Sequence, residues 1–231
     1  MSKYFIGIMT GTSADALDGC VVSFEDKFEL ICSASLTLDS SYKRDYEECI
    51  REGSKNTNES KKLFELENIL NQKTIELINL LLKKADIDIS QVSSAGFSGQ
   101  TVFHTNEKSY QIGNPAYISE LSKIDVYSDF RNFDIKNGGI GAPLIPAFHK
   151  YLYAVEKDRL IFNIGGIANG TYLKKGEVAI VSDVGPGNCL LDYVSSKSFN
   201  KPFDDSGAEA AKGEVDDLLL KQLIDKCDGM T

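Results

Sequence analysis

One pattern occurs twice in the chain and limits what it can fold into. Residues 3–9 read as an apolar strand, followed by a Gly/Thr/Ser/Asp turn, a second strand over 19–24, the charged turn Glu25-Asp26-Lys27, a third strand in "FELICSASLTL" and a helix near Tyr42 to Arg51. The same order returns in "RLIFNIGGIANGTYLKKGEVAIVSDVGPGNCLLDYV": strand, Gly-Gly turn, strand, Lys-Lys-Gly turn, strand, glycine loop, helix. Two β-β-β-α units with small residues in the first turn of each imply an internal duplication. The boundary falls near Glu156 to Arg159, which divides the chain into 1–157 and 158–231.

Between the two copies the pattern is mixed. Lys61 to Lys84 repeats apolar residues at helical spacing, with Leu63, Leu66, Leu70, Leu77 and Leu81 on one stripe, so it reads as a core-packing helix. "VSSAGFSGQTVFH" reads as strand, glycine turn, strand. "GNPAYISELSK" begins a helix with Asn114 at the cap and Pro115 at the first helical position. "IDVYSDF" reads as a strand. "RNFDIKNGGIGAPLIP" reads as a glycine-rich loop leading into a helix around Ala147 to Val155, and "DDLLLKQLIDK" closes the sequence as a helical pattern.

Charge and cysteine usage exclude several functions. A formal net charge of −9 over 231 residues repels phosphate backbones and anionic lipid, so nucleic acid and membrane surfaces are not expected partners. No apolar run reaches membrane-span length, and no basic-then-apolar leader opens the chain. The five cysteines, Cys20, Cys32, Cys49, Cys189 and Cys227, include no C-x-x-C pair, which favours a reducing cytoplasm over a disulfide framework or zinc site. Asn58-Glu59-Ser60 and Asn169-Gly170-Thr171 then match the glycosylation pattern by chance. The only histidines, His104 and His149, are far apart and suggest no metal or triad chemistry.

The turns carry the chemistry. In "GIMTGTSADALDG", glycine and hydroxyl groups can offer donors to phosphate oxygens, and Asp15 and Asp18 make sense there through Mg²⁺. It is not a P-loop, and an ordinary polar hairpin is the alternative reading. Gly165 and Gly166 mark either a close ligand approach or a tight bend. Asp183 ends a strand before a Gly-Pro loop, where a general base could sit or where an acid could brace its own loop; Asn188 is a candidate cap for the next helix. Gln100, Thr101, Arg131 and Asp134 suit a polyol or its carboxylate; a salt bridge from Arg131 to Asp129 or Asp134 is the alternative.

Taken in order, "GIMTGTSADALDG", "GFSGQTVFH", "QIGNP", "DFRNFDIKNGGIGAPLIPAFH", "NIGGIAN", "DVGPGNCLLD" and "FDDSGAEAAKGEV" resemble the motifs of the anhydro-N-acetylmuramic acid kinases, across essentially the whole chain. The resemblance implies an α/β fold of duplicated actin/hexokinase-like (ribonuclease H-like) βββα domains, the second incomplete. It implies a cytoplasmic enzyme of cell-wall sugar recycling. Such an enzyme uses ATP and water to open the 1,6-anhydro ring of anhydro-N-acetylmuramic acid and yields N-acetylmuramic acid 6-phosphate. Carried over by position, Asp183 is the catalytic base. Gly11, Thr12, Ser13, Ala14, Asp15, Ala16, Leu17 and Asp18 hold ATP phosphates and Mg²⁺, with Asp15 as the metal-side acid and Gly165 and Gly166 facing them from the other hairpin. Gln100, Thr101, Arg131 and Asn188 are substrate-side contacts.

The sequence departs from the family pattern in places. Ser98 stands where a histidine is usual, and Ala14 and Ala16 replace a leucine and a glycine of the opening motif. The resemblance also leads to the expectation that the rest of the second domain lies beyond Thr231. A truncated sugar- or phosphate-binding relative, or one half of a split enzyme, is therefore the alternative function. A homodimer, or a partner chain supplying the C-terminal part, is the alternative assembly.

Overall fold

The computed structural model describes residues 3–11, 13–51 and 61–227. It divides into two compact units, Met1–Leu152 and Tyr153–Thr231.

The first unit is built on a five-stranded mixed sheet. Strands β1 (Tyr4–Thr10), β2 (Ala16–Ser23) and β3 (Glu29–Thr37) form an antiparallel meander. β4 (Val92–Phe97) and β7 (Val126–Tyr127) add in parallel on the other side of β1, giving the order β3-β2-β1-β4-β7. Between β3 and β4 the chain forms α1 (Ser40–Arg51) and the long α2 (Lys61–Ala85). The leucine stripe predicted from spacing is the buried face of α2: Leu63, Leu66, Leu70, Leu77 and Leu81 are all buried. Each such side chain contributes roughly 1.5–3 kcal/mol by leaving water. Gly19 on β2 lets that face come close, since a Cβ there would lie 2.8 Å from Leu81 Cδ1 and 2.9 Å from Leu77 Cδ2.

β4 and β5 (Gln100–His104) are separated by a glycine turn as expected, but they do not pair with one another. β5 pairs with β6 (Ser109–Ile112), a strand that the sequence reading passed over. Helix α3 (Pro115–Ser122) starts as predicted: Asn114 Oδ1 accepts from the Tyr117 amide at 3.0 Å, with Pro115 in the first helical position. "RNFDIKNGG" differs from expectation. Residues Phe130–Lys136 form α4, and the glycine loop begins only after it, leading to α5 (Pro146–Tyr153). Seven residues are too few to show a helical period, and the following glycines masked the helix.

The second unit repeats the opening theme. β8 (Arg159–Ile164), β9 (Ile167–Lys174) and β10 (Glu177–Pro186) form a meander in the order β10-β9-β8, followed by α6 (Cys189–Phe199) and, after short 3₁₀ turns, α7 (Asp217–Cys227). Both meanders therefore form where the repeated pattern placed them. Between α6 and α7, Asp204 accepts from the amides of Glu209 and Ala210, and Lys201 and Lys212 pair with the Glu209 carboxylate at 2.7 and 2.8 Å. Those two lysines hold the Glu209 carboxyl well below the usual carboxylate range. Among the described residues, no helix is long and apolar enough to cross a membrane.

Candidate functional site

In the first unit, the opening turn is shorter than the sequence suggested. Ala16, Leu17 and Asp18 belong to β2, and Leu17 is fully buried because alternation along the strand turns it into the core. Of its described residues, only Gly11 and Ser13 to Asp15 lie outside the strands; Thr12 falls outside the described residues. Ala14 takes a left-handed backbone, φ +48°, while its methyl is buried, and its amide closes the turn on Gly11 O at 3.1 Å. The Asp15 carbonyl accepts from the Leu38 amide at 2.9 Å, which ties the turn to the end of β3. The Asp15 carboxylate is exposed and accepts the Ser13 hydroxyl. That bond is the largest of the influences holding its pKa below the ordinary aspartate value. Asp18 is also exposed, opposite Met9 on β1 and Ser35 on β3.

Gln100 is fully buried beneath this turn. It accepts from Thr10 Oγ1 and donates through Nε2 to Gly11 O, both at 2.9 Å. Thr101 is partly buried, and its carbonyl accepts the Tyr46 hydroxyl at 2.5 Å.

Arg131 forms neither of the salt bridges held open for it. Its Nη1 donates to Gly141 O at 3.3 Å, Asp134 accepts from Gly141 N at 2.8 Å, and Asp129 accepts from Asn132 Nδ2 at 2.6 Å. α4 thus grips the glycine loop from both sides of Gly141, and the rest of the Arg131 guanidinium has no further partner among the described residues. His104 packs against the same loop. Burial first, and then the Arg131 charge, push its pKa below the ordinary histidine value.

A polar cleft of about 290 Å³ opens beside β4, β6 and α4. Ser98, Gln111, Ser128, Asp129 and Asn132 line it, with Gly99 and Gly113 offering backbone and Phe97 and Ile112 giving apolar wall. Asn132 copies a strand edge: Oδ1 accepts from Ser109 N and Nδ2 donates to Ser109 O, both at 2.9 Å. Asp129 holds a left-handed backbone at φ +57°, which is strained for a residue with a side chain. Of these residues, Ser98 stands out in the sequence as a departure from the family pattern, and Asp129 only as an alternative partner for Arg131. Gln111 and Asn132 fall within the motifs "QIGNP" and "DFRNFDIKNGGIGAPLIPAFH" but gave no signal of a cleft, because cleft and register arise from β6 and α4, the two elements the pattern hid.

In the second unit, Asp183 lies inside β10 rather than at its end. The strand continues to Pro186, with a pairing irregularity between Asp183 and Gly185. Its side chain is exposed, and its carboxylate has no hydrogen-bond or ion-pair partner among the described residues. Asn188 occupies the N-cap position of α6 but makes no side-chain cap; its backbone is helical, φ −74° and ψ −11°. The hairpin carbonyls take that role. Gly166 O accepts from Gly187 N at 2.9 Å and Gly165 O from Asn188 N at 2.9 Å. In trans peptides the amide N–H opposes the carbonyl, so the N–H groups of Gly166 and Ile167 point away from α6.

These features suit a phosphate and its cation. Among the described residues, no three His, Cys, Asp or Glu side chains cluster, so an all-protein metal cage is absent there. Mg²⁺ typically uses one or two carboxylates together with phosphate and water. An exposed Asp15, kept ionised on a glycine-hydroxyl turn, meets that requirement.

Two meanders of the same order, the first extended by parallel strands, define an α/β protein built on a repeated βββα unit. A family model for anhydro-N-acetylmuramic acid kinase matches residues 3–227. The anhydro-N-acetylmuramic acid kinase of Shewanella loihica is 39% identical over 97% of this chain and 62% of its own length. That of Shewanella baltica is 40% identical over 96% and 62%. The chain belongs to the anhydro-N-acetylmuramic acid kinase family, and it spans 62% of the length of these curated relatives. Among solved structures, the Aquifex aeolicus Ppx/GppA phosphatase (type II variant) is similar over 83% of this chain and 55% of that one, at 9% identity and a TM-score of 0.46. The ethanolamine utilization protein EutJ from Carboxydothermus hydrogenoformans covers 89% and 60%, at 14% identity and a TM-score of 0.44.

Proposed function

We propose that this chain carries the catalytic base and the phosphate-side turn of an ATP-dependent anhydro-N-acetylmuramic acid kinase acting in cell-wall sugar recycling. The observation that carries this reading is the exposed carboxylate of Asp183 on β10, without a partner among the described residues, in a chain matched by that family's model over residues 3–227. Asp183 takes a proton from water as the water oxygen bonds to the anomeric carbon. The C1–O6 bond breaks, and O6 accepts the γ-phosphoryl group as ADP leaves. The base serves water because O6 is freed by bond cleavage and has no proton to surrender.

Gly11, Ser13 and Asp15 form the phosphate side, with Asp15 the residue that would hold Mg²⁺; the ion supplies charge neutralisation at the phosphates. Gly165 and Gly166 contribute backbone amides. On the sugar side, the Arg131 guanidinium suits a carboxylate. The cleft of Ser98, Gln111, Asp129 and Asn132 suits a polyhydroxylated ring.

The test is turnover of the 1,6-anhydro sugar with ATP and Mg²⁺ in ¹⁸O water. The expected product is the 6-phosphate with ¹⁸O on C1, and Asp183→Asn should slow its formation about 10²–10⁴-fold, as loss of a general base does. Equal rates for the two proteins would remove Asp183 from the role. A second reading, sugar binding without turnover, is favoured by a cleft built wholly from the first unit. Calorimetry that detects the sugar but no ATP would select it.

A further inference from the structure

We propose that Gln100 is a positioning residue that fixes the shape of the phosphate-side turn from beneath. Its catalytic meaning rests on the kinase reading above; its hold on the turn does not.

Gln100 has no exposed surface, and both ends of its amide act on residues about ninety positions earlier. Oε1 accepts from Thr10 Oγ1 and Nε2 donates to Gly11 O. The Gly11 carbonyl also accepts from the Ala14 amide, so Gln100 and the turn's own closing bond converge on one oxygen. Only a group that both donates and accepts across one amide plane fills this place. A glutamate would keep the Thr10 bond but lose the donor to Gly11.

The brace itself is firmly seated. The backbone of Gln100 pairs with Ile112 on β6, and the next carbonyl, at Thr101, accepts the Tyr46 hydroxyl. Before it, Gly99 has φ +67°, and a Cβ there would lie 2.7 Å from Ile112 O, so the entry to β5 is packed backbone against backbone. Gly99, Gln111 and Ile112 also line the polar cleft. Gln100 thus carries the position of the cleft-forming hairpin directly to the turn that bears Asp15. The resemblance had placed Gln100 among the sugar contacts, whereas its buried amide is already used within the protein.

The test compares wild type with Gln100→Met, which keeps length and loses both bonds, and with Thr10→Val, which loses one. Amide exchange is followed at Ala14, in the turn, and at Ala95, bonded to Asp125 O in the central sheet. Mg–ATP and the anhydro sugar are titrated separately by calorimetry. Expected for Gln100→Met are at least tenfold faster exchange at Ala14 with Ala95 unchanged, and Mg–ATP binding at least tenfold weaker with sugar binding within twofold. Thr10→Val should fall between, and it keeps the test decisive should Gln100→Met not fold. Unchanged exchange at Ala14, or equal acceleration at Ala14 and Ala95, would overturn the assignment. Wild type that binds no Mg–ATP would sink the kinase reading, while the exchange comparison would still decide Gln100's hold on the turn.

Discussion

Ser13 donates its hydroxyl to Asp15 Oδ1 at 2.5 Å, two residues along the opening turn. The bond favours the charged form of Asp15 and is the main reason that its pKa lies below the ordinary aspartate value; nearby backbone amides and Lys43 add to it, against a desolvation cost. Ser13→Ala should move the Asp15 titration upward, toward the ordinary value, in a carboxyl-carbon NMR titration. The sign follows from linkage. A depressed folded-state pKa gives stability that is present above the unfolded value and lost as pH falls through the folded one. The variant should therefore have less of this contribution to lose, and should finish losing it at a higher pH than wild type. An unmoved Asp15 midpoint would show that the backbone amides and Lys43 set it without Ser13.

His104 is shifted in the same direction, although there it is the neutral form that the fold favours. Burial, followed by the Arg131 charge, lowers its pKa from the usual 6.5, with a backbone bond to Ile140 opposing them. The folded state therefore holds fewer protons than the unfolded chain just below that value. The His104 contribution to stability is complete above the unfolded pKa and declines as pH falls through it. Arg131→Met should raise the His104 midpoint part of the way back, leaving the burial effect in place. Imidazole proton NMR measures this directly, and a midpoint unaffected by the substitution would remove Arg131 from the account.

Asn71 is one of two buried polar residues on α2, the other being Thr74, whose hydroxyl bonds within the helix to Leu70 O. Asn71 is 3% exposed, and its Oδ1 accepts from the Asn114 amide at 2.8 Å, one residue after Glu67 takes the Gly113 amide at 3.0 Å. Together they hold the loop between β6 and α3 in place beside the cleft. Asn71→Leu should cost about 0.5–1.5 kcal/mol, the net worth of the lost bond to the partly exposed Asn114 amide, read from the urea midpoint at constant m. A neutral result would mean that water or a shifted loop satisfies Asn114.

How much of this was legible in the sequence depends on the range of each signal. The meanders, the leucine stripe of α2 and the Asn114-Pro115 helix start are local patterns, and the structure has them where spacing put them. β6 and α4 are four and seven residues long, too short for a period to declare itself beside glycines. The cleft depends on those two elements, so it was hidden with them. The Gln100 brace was hidden for a different reason. A buried side chain amide chooses its partners by tertiary placement, and nothing near residue 100 names Thr10 or Gly11. At "DVGPGN" the sequence suggested a rigid loop and a capping Asn188, whereas the cap comes from carbonyls of the Gly165-Gly166 hairpin.

That hairpin-to-helix junction gives the sharpest test of why the loop contains its second glycine. A Cβ on Gly187 would collide with the carbonyl oxygen of Gly165 and lie 3.2 Å from Ala168 N. Both obstacles are backbone, so neither can rotate away. The same residue donates its amide to Gly166 O at 2.9 Å, which leaves the hairpin no freedom to retreat without losing the cap on α6. Gly187→Ala should therefore destabilise by about 1–3 kcal/mol, the usual cost of overpacking, and should speed amide exchange at Asn188. Pro186 is the control. It is exposed, and replacing it with alanine alters mainly the entropy of the unfolded chain, by about 0.4–1 kcal/mol. If Pro186→Ala costs as much as Gly187→Ala, loop rigidity and not the close approach of the Gly165 carbonyl sets the junction.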